Sequence, residues 1–193
     1  KATIKDIVDI QIGYQFRGKI EPSAEGVYSV IQIRDINEQK ELVSSNVTKV
    51  ELDRDVDQYK VKKGDVLFLS KGNHNYALTV IEDLENTIAA SYFFILSIKS
   101  SQVLPEYLAW YINQAPAQHY LYKLARRGSH MPMIPKSAFL DMPVETPPIE
   151  IQKTIVELSK LEKREQKLLS EIAEKRKLLI TAAALKAAQN LVN

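Results

Sequence analysis

Hydrophobic residues in the first two thirds of the chain form short runs that polar turns separate. β-branched and aromatic residues dominate these runs, and this composition favours β-strands over helices. Lys62-Lys63-Gly64-Asp65 is typical of a turn between two of them. The predicted strands run from Val27 to Ile36, Val66 to Ser70, Tyr76 to Ile81 and Thr87 to Ile98, with a looser apolar alternation from Ile4 to Ile12 that breaks at Gly13.

After Pro105 the spacing of apolar residues changes from alternation to steps of three and four, which is typical of helices. A second helix is predicted to begin at Pro116, a residue that suits the first helical turn. Gly128 is its expected C-cap. One more helical turn is predicted from Lys136 to Leu140. Strands followed by short helices predict a mixed, strand-rich α+β domain over residues 1–146.

No proline or glycine follows Pro147-Pro148, and residues 147–193 are predicted to form one long helix. Its apolar stripe is narrow, as in a coiled coil, and is interrupted at Glu165 and Arg176. At 1.5 Å per residue, forty residues span about 60 Å, more than a domain of this size can cover. The alternative is a solvated, partly frayed tail, which would expose many apolar groups. The expected partner interface comprises Ile151, Ile155, Leu158, Leu161, Leu168, Ile172 and Leu179.

Composition places the chain among ordinary globular proteins, with 45% hydrophobic and 26% charged residues. The absence of cysteine excludes disulfides and thiolate metal sites, and it suits a reducing compartment. No apolar run is long enough to span a bilayer. The N-terminal residues lack the apolar core of a signal peptide. We therefore expect a cytoplasmic protein without a membrane partner.

Charge is distributed unevenly along the chain, although the formal net charge is only +2. Four acids crowd between Glu51 and Asp57, whereas Glu106 is the only acid from Asn86 to Leu140. The second stretch carries several lysines, arginines and histidines, which predicts a positive surface of the kind that binds nucleic acid. The alternative is a chance gap filled by core strands and neutral helices.

Three polar loops, at residues 15–19, 71–76 and 126–130, carry the side chains that hydrogen-bond base edges and phosphates in protein–DNA complexes. The alternative for each residue is an ordinary solvated loop. Arg34, on a predicted strand, joins the candidates. The candidate DNA-binding residues are Gln15, Arg17, Lys19, Arg34, Lys71, Asn73, His74, Asn75, Tyr76, Arg126, Arg127, Ser129 and His130.

Motifs for catalysis, metals and nucleotides are incomplete in this sequence. The stretch from Gly13 to Ile20 matches a phosphate loop except at its last position, where a hydroxyl residue is required. The run from Asp53 to Asp57 begins like a calcium loop but lacks its glycine and its closing glutamate. The three histidines lack metal-ligand spacing, and no Gly-x-Ser-x-Gly elbow is present. We expect no catalytic residue, no metal and no cofactor.

The junction Pro143-x-x-x-Pro147-Pro148-x-Glu150-x-Gln152-x-x-Ile155, followed by a charged helix through Lys175-Arg176-Lys177-Leu178-Leu179, resembles the specificity (S) subunit of type I restriction–modification systems. Shorter matches are Gly13 with Phe16, Gly64-Asp65-Val66-Leu67, and Arg127-Gly128-Ser129 with Ile134. The resemblance implies a non-catalytic target-recognition domain that reads one half of a bipartite site in double-stranded DNA.

The same resemblance implies partners. In this family two recognition domains are each followed by a long helix, and the two helices pair antiparallel. They set the distance between the half-sites and dock methyltransferase (M) subunits, through which the restriction (R) subunit joins. With one domain and one helix, this chain would be a half-subunit or a fragment that forms a homodimer. A coiled-coil protein-interaction adaptor without DNA specificity is the alternative, and a small enzyme is a third hypothesis without a visible pocket.

Overall fold

The computed structural model describes residues 2–124 and 132–190, and it shows a strand-rich body followed by one long helix. This confirms the predicted α+β class. The elements in chain order are β1 (Ala2–Thr3), α1 (Ile4–Ile7), β2 (Val8–Ile12), β3 (Tyr28–Ile31), β4 (Thr48–Val50), β5 (Val66–Leu69), β6 (Ala77–Thr79), β7 (Thr87–Ala89), β8 (Phe93–Ile98), α2 (Pro105–Ile112), α3 (Ala115–Leu124), α4 (Lys136–Leu140), β9 (Pro143–Val144) and α5 (Ile149–Asn190), with 3₁₀ turns at Ile33–Asp35, Ser44–Asn46 and Asp57–Tyr59.

A four-stranded antiparallel sheet in the order β2-β8-β5-β6 forms the centre of the body. Both of its faces are buried along β5 and most of β6 and β8, which explains why these strands are nearly continuous apolar runs, whereas the edge strand β2 alternates between apolar and polar residues. Successive side chains point to opposite faces and enter different parts of the core. Val66, Phe68, Phe94 and Leu96 pack towards α2, α3 and Phe139, whereas Leu67, Leu69, Phe93 and Ile95 pack towards Ile31, Val61 and Val80.

The second sheet has three strands in the order β4-β3-β7, with β3 antiparallel to β4 and parallel to β7. It encloses a smaller core around Val30, Val50 and Ile88. A two-stranded pair, β1 with β9, joins the N-terminus to the segment before the long helix. Residues from both ends of the body therefore meet at the base of α5.

Two predicted strands differ from the observed ones. The strand expected from Val27 to Ile36 ends at Ile31, because the Asp35 carboxylate accepts a hydrogen bond from the Gln32 amide (2.8 Å) and closes a 3₁₀ turn. The strand expected from Thr87 to Ile98 is split into β7 and β8. Within its interruption, residues 90–92, the Ser91 amide bonds to Tyr14 and the Tyr92 carbonyl bonds to Ser70 instead of continuing a ladder, so the two halves serve different sheets.

The edge of the four-stranded sheet at β6 is closed by a side chain. Asn113, at the end of α2, accepts a hydrogen bond from the Ala77 amide (3.0 Å) and donates one to the Ala77 carbonyl (2.8 Å). The amide group thereby occupies the main-chain donor and acceptor that an added strand would use. It also fixes the end of α2, and so the start of α3, against the sheet.

The helix α5 is 42 residues long, which corresponds to about 63 Å at 1.5 Å per residue. Its first residues belong to the compact unit that ends at Val156, and the residues from Glu157 onwards form a second unit. Within the first unit, Gln152 and Val156 are buried, and Ile155 packs against the core. Pro148 provides the carbonyl that accepts the Ile151 and Gln152 amides in the first turn.

Candidate nucleic-acid interface

The first and second polar loops meet at one short turn, residues 90–92, which we call the central turn. The Tyr14 amide donates to the Ala89 carbonyl (2.7 Å), and the Ser91 amide donates back to the Tyr14 carbonyl (2.9 Å). On the other side, the amide and the hydroxyl of Ser70 both donate to the Tyr92 carbonyl, at 2.9 and 3.0 Å. The loops at 15–19 and 71–76 therefore begin from neighbouring positions.

The third predicted loop leaves α3 after Leu124 and rejoins the described chain at Pro132. There the Gly72 amide donates to the Pro132 carbonyl (2.9 Å), and the Ile134 amide donates to the Ser70 carbonyl (2.8 Å). The candidates Arg126, Arg127, Ser129 and His130, with the C-cap expected at Gly128, lie outside the described residues. The described chain resumes at Pro132, beside the second loop.

Two glycines shape the backbone at this junction, one through a close approach and the other through its φ angle. A Cβ atom on Gly13 would lie 2.3 Å from the carbonyl oxygen of Ala90, a distance that no side chain tolerates. Gly72 has a φ of 122°, a left-handed conformation that favours glycine over other residues. The first glycine brings the first loop onto the central turn, and the second directs the chain into the second loop.

The residues of the second loop divide into positioning residues and exposed residues. The Asn75 side chain donates to the Leu69 carbonyl (2.9 Å), which closes the loop over its own strand. Tyr76 is half-buried, and burial raises the pKa of its hydroxyl above the ordinary value of 10.0, so the group stays protonated at neutral pH. Asn73 and His74 are exposed at the tip. They are the residues of this loop best placed to meet a ligand.

An open cleft of about 850 Å³ lies between the second loop and α3. Besides residues 72–76, it is lined by Lys40, Gln118, His119, Tyr122 and Pro132, residues absent from the sequence-based list of candidates. The α3 residues could have been predicted from the sequence as one surface, because positions 118, 119 and 122 share one helical face. Lys40 could not, since only tertiary structure brings it to Tyr76. No aspartate or glutamate is among the described lining residues.

Two lysines near the cleft lie over aromatic rings. The ammonium group of Lys40 is 5.9 Å from the ring centroid of Tyr76, and that of Lys71 is 5.7 Å from the centroid of Tyr92. Lys71 also lies 3.5 Å from the Ser91 hydroxyl, on the central turn. Rings at this distance attract a cation without neutralising it. The two rings thus hold both ammonium groups near the cleft.

The remaining candidates lie in other surroundings. Arg34 donates to the Thr48 hydroxyl (2.6 Å), and its Nε lies 3.9 Å from the buried Asp35 carboxylate, so its described contacts stay within its own part of the body. Gln15 donates to the neighbouring Phe16 carbonyl (3.2 Å). Arg17 and Lys19 are exposed on the same loop. The structure brings the first loop close to the second, but it does not bring Arg34 to either.

The helix candidates also differ in their surroundings. Ile155 is half-buried against the body, and Ile151 is 51% exposed. The other five belong to the second unit and are 48–71% exposed: Leu158, Leu161, Leu168, Ile172 and Leu179.

The chemistry available at the cleft is hydrogen bonding and charge. Amides, imidazoles and two phenols line it; these groups donate to phosphates, and they both donate to and accept from base edges. Within residues 2–124 and 132–190, no cluster of three histidine or acidic side chains is arranged to hold a metal ion. In the same residues, no helix has the length and hydropathy needed to cross a bilayer.

Comparison with known proteins is consistent with this geometry. The structure is similar to the type I restriction–modification S subunit from M. genitalium, with a TM-score of 0.56, 18% identity, and coverage of 91% of this chain and 42% of that one. It is also similar to the HsdS subunit from Thermoanaerobacter tengcongensis, with a TM-score of 0.61, 20% identity, and coverage of 78% and 39%. The chain therefore spans about two fifths of the length of these subunits.

Comparison with curated protein sequences gives no significant match. At the level of families, the sequence model of the type I restriction modification DNA specificity domain matches residues 1–175, which include the body, the junction and more than half of the helix. The chain belongs to the family of type I restriction modification DNA specificity domains.

Proposed function

We propose that this chain is a non-catalytic DNA-recognition unit that reads one half of a bipartite site for a type I restriction–modification complex. The observation that carries the proposal is a cleft between the second polar loop and α3 whose described lining contains no carboxylate, next to the central turn from which the first polar loop also begins. A duplex presents a dense row of phosphates, which a carboxylate would repel and which lysines attract. Family membership agrees with this use of the surface.

We assign two roles, phosphate contact and base contact, to the residues at the cleft. Lys40 and Lys71 contact phosphates and fix the position of the duplex, because ammonium groups bind phosphate oxygens without reading sequence. Asn73, His74 and His119 present donors and acceptors for base edges in the major groove. In this division the second loop and α3 determine the half-site, and the first loop adds backbone contacts through Arg17 and Lys19.

The proposed organisation assigns residues 1–146 to target recognition and residues 147–193 to dimerisation and methyltransferase docking. The chain spans about two fifths of the S subunits to which it is similar, so two copies would supply two recognition domains. The five exposed residues of the predicted partner interface, which begin at Leu158, favour this homodimer, because water-exposed stripes of that length are unfavourable in a monomer. Methylation and cleavage then belong to the M and R subunits.

A second apolar surface on α5 supports docking of a further subunit. Leu178 and Leu185 are 68% and 61% exposed, and at 100° per residue they lie on the side of the helix opposite Leu158 and Ile172. A dimer formed through one side leaves the other side open. From Leu178 to Asn190 the helix carries a single charge, Lys186, which is typical of a helix covered from several sides.

A binding experiment tests DNA recognition. The full chain is mixed with a pool of random duplexes at about 50 and 200 mM salt, and retained DNA is measured on a filter. We expect binding that falls steeply with salt, and enrichment of one motif after repeated selection. If the chain retains no duplex at low salt, either alone or with an M subunit, the proposal is contradicted and the alternative of a coiled-coil protein-interaction adaptor remains.

In cells, methylome sequencing of a strain that carries the chain and its M subunit should reveal a bipartite motif with identical half-sites.

A further inference from the structure

A short hairpin, residues 36–42, lies beside the second loop, and none of its residues is among the sequence-based candidates for DNA binding. A bridge between Ile36 and Leu42 closes its base. Nearer the tip, the Asn37 amide donates to the Glu41 carbonyl (2.9 Å), and the Asn37 side chain accepts the Glu41 amide (2.9 Å). Ile36 and Leu42 pack against the same hydrophobic cluster as the last residue of the second loop. The hairpin is therefore anchored in the core next to that loop.

Lys40 occupies a backbone conformation in this hairpin that suits glycine or asparagine better than lysine. Its amide donates to the Asn37 carbonyl (2.9 Å), and its φ is 59°. In this left-handed region the Cβ atom crowds the following carbonyl oxygen, a clash that glycine lacks and that asparagine tolerates. Among the residues that the structure describes, Asn86 is the other non-glycine residue with a positive φ (42°), and it is an asparagine. Local turn chemistry therefore does not explain the lysine at position 40.

The position of its side chain gives Lys40 a role. The ammonium group lies 5.9 Å from the ring centroid of Tyr76, and the residue lines the cleft together with the second loop and α3. The two acids of the hairpin are not among the described lining residues. Glu38 is exposed, and the Glu41 carboxylate accepts the Asn37 side-chain amide at 3.4 Å. The hairpin thus directs a positive charge, and neither of its carboxylates, to the cleft.

We propose that the 36–42 hairpin is a separate arm of the DNA interface, shaped to hold the Lys40 ammonium group over the second loop against a phosphate of the duplex. Its strained backbone lowers the stability of the chain and is retained for this contact. Strained conformations of this kind are concentrated at functional sites. The inference rests on the proposed function, and it adds a segment of the chain and the reason for its unusual residue.

Substitution of Lys40 should change stability and DNA binding in opposite directions. Lys40→Asn keeps the left-handed turn and removes the charge, so it should raise the melting temperature of the full chain by about 1–3 °C. Its affinity for a duplex enriched from the random pool should fall by about threefold or more at about 50 mM salt, and the slope of log affinity against log salt should fall by about one. Lys40→Arg restores the charge and should keep the affinity and the slope of the unmodified chain.

Two residues that do not line the cleft provide matched controls. Lys63→Asn removes one positive charge from the turn before β5, where the lysine pairs with Asp83 (3.4 Å), and it should leave the salt slope unchanged. Asn86→Lys places a lysine in the other left-handed position, and it should lower the melting temperature without weakening DNA binding. The first control isolates the position of the charge, and the second measures the cost of lysine in a left-handed turn.

The absence of native cysteine allows the hairpin to be located on the duplex directly. Gln39 is exposed in the hairpin, so Gln39→Cys can carry a thiol-linked iron chelate that cleaves nearby DNA strands. Cleavage should be confined to a few neighbouring nucleotides at the half-site, and an excess of unmodified chain should abolish it. The unmodified chain treated with the same reagent controls for free chelate.

The outcomes separate this inference from the proposed function. If the unmodified chain retains no duplex, the recognition role and the inference fail together. If it binds, but Lys40→Asn binds equally well with the same slope or the Gln39→Cys conjugate leaves the duplex intact, the hairpin lies outside the interface and the recognition role remains. If Lys40→Asn melts below the unmodified chain, the contact with Tyr76 outweighs the backbone strain, and the lysine is structural.

Discussion

The Gln152 side chain holds the main chain of Leu104, which lies 48 residues earlier and precedes α2. Its carbonyl oxygen accepts the Leu104 amide at 2.9 Å, and its amide nitrogen donates to the carbonyls of Gln102 and Pro147, each at 2.7 Å. Gln152 is fully buried. Gln152, the glutamine of the junction motif, therefore joins the start of α5 to the body, and its buried side chain is not accessible to a partner.

We expect Gln152→Met to destabilise the body by about 1–3 kcal/mol, because methionine has a similar shape but leaves a buried amide and two carbonyls without their partner. Urea unfolding followed by circular dichroism measures the change. Lys153→Met introduces the same side chain at the adjacent exposed position and should leave the free energy of unfolding nearly unchanged. Equal effects of the two variants would show that the hydrogen bonds of Gln152 do not stabilise the junction.

Gly13→Ala should destabilise the chain by about 2 kcal/mol or more, because its Cβ would overlap the Ala90 carbonyl and force the first loop off the central turn. Thermal unfolding measures the loss. Gly18→Ala is the matched control, since a Cβ there meets no atom within 4 Å. A Gly13→Ala protein as stable as the control would contradict the close approach of the two segments.

Lys71→Met should weaken duplex binding and reduce the slope of log affinity against log salt by about one, as expected for the loss of one phosphate contact. Fluorescence anisotropy with a labelled duplex at several salt concentrations gives the slope. Lys63→Met removes a lysine that pairs with Asp83 at 3.4 Å in the turn before β5, and it should not alter the slope. Equal slopes for the two variants would mean that Lys71 does not contact a phosphate and that the DNA binds at another surface.

Deprotonation of the Asp35 carboxyl should lower the free energy of unfolding of the chain as pH rises. Burial raises the pKa of its carboxyl above the ordinary value of 3.8, against the opposing effects of the Gln32 amide and Arg34, and its Oδ1 has no hydrogen-bond partner. The folded state therefore keeps a proton that the unfolded state has released. Stability falls as pH rises from the unfolded value through the raised folded value.

The substitution Asp35→Asn should remove this component, flatten the stability profile above pH 3.8 and stabilise the chain at neutral pH, while its side-chain oxygen still accepts the Gln32 amide. Urea unfolding at a series of pH values measures the profile. Asp53→Asn, in an exposed loop, controls for the change in net charge. A profile unchanged by Asp35→Asn relative to that control would contradict the role of Asp35.

An insertion of four helical residues between Ser170 and Glu171 should lengthen the spacer between half-sites by about one or two base pairs, since it adds about 6 Å to the helix. Methylome sequencing of the strain with the altered chain reports the spacer directly. An unchanged spacer would mean that α5 does not set the distance between recognition domains.

The sequence determined the α+β class, the buried strands and the long helix, because these depend on local composition and periodicity. The apolar run from Val66 to Ser70 and the absence of breakers after Pro148 each define an element without knowledge of its neighbours. The junction motif also predicted the family, which the match over residues 1–175 confirms. The positions of Glu165 and Arg176 were visible from spacing alone.

Tertiary structure alone decided which residues of the candidate site meet. Lys40 reaches Tyr76, and α3 faces the second loop, through contacts between segments far apart in the chain, which no local pattern encodes. It likewise split the strand from Thr87 to Ile98, because the Ser91 amide and the Tyr92 carbonyl of the central turn bond to Tyr14 and Ser70 rather than to a ladder. It also gave Gln152 its role, since a polar side chain is buried only where distant main-chain groups satisfy it.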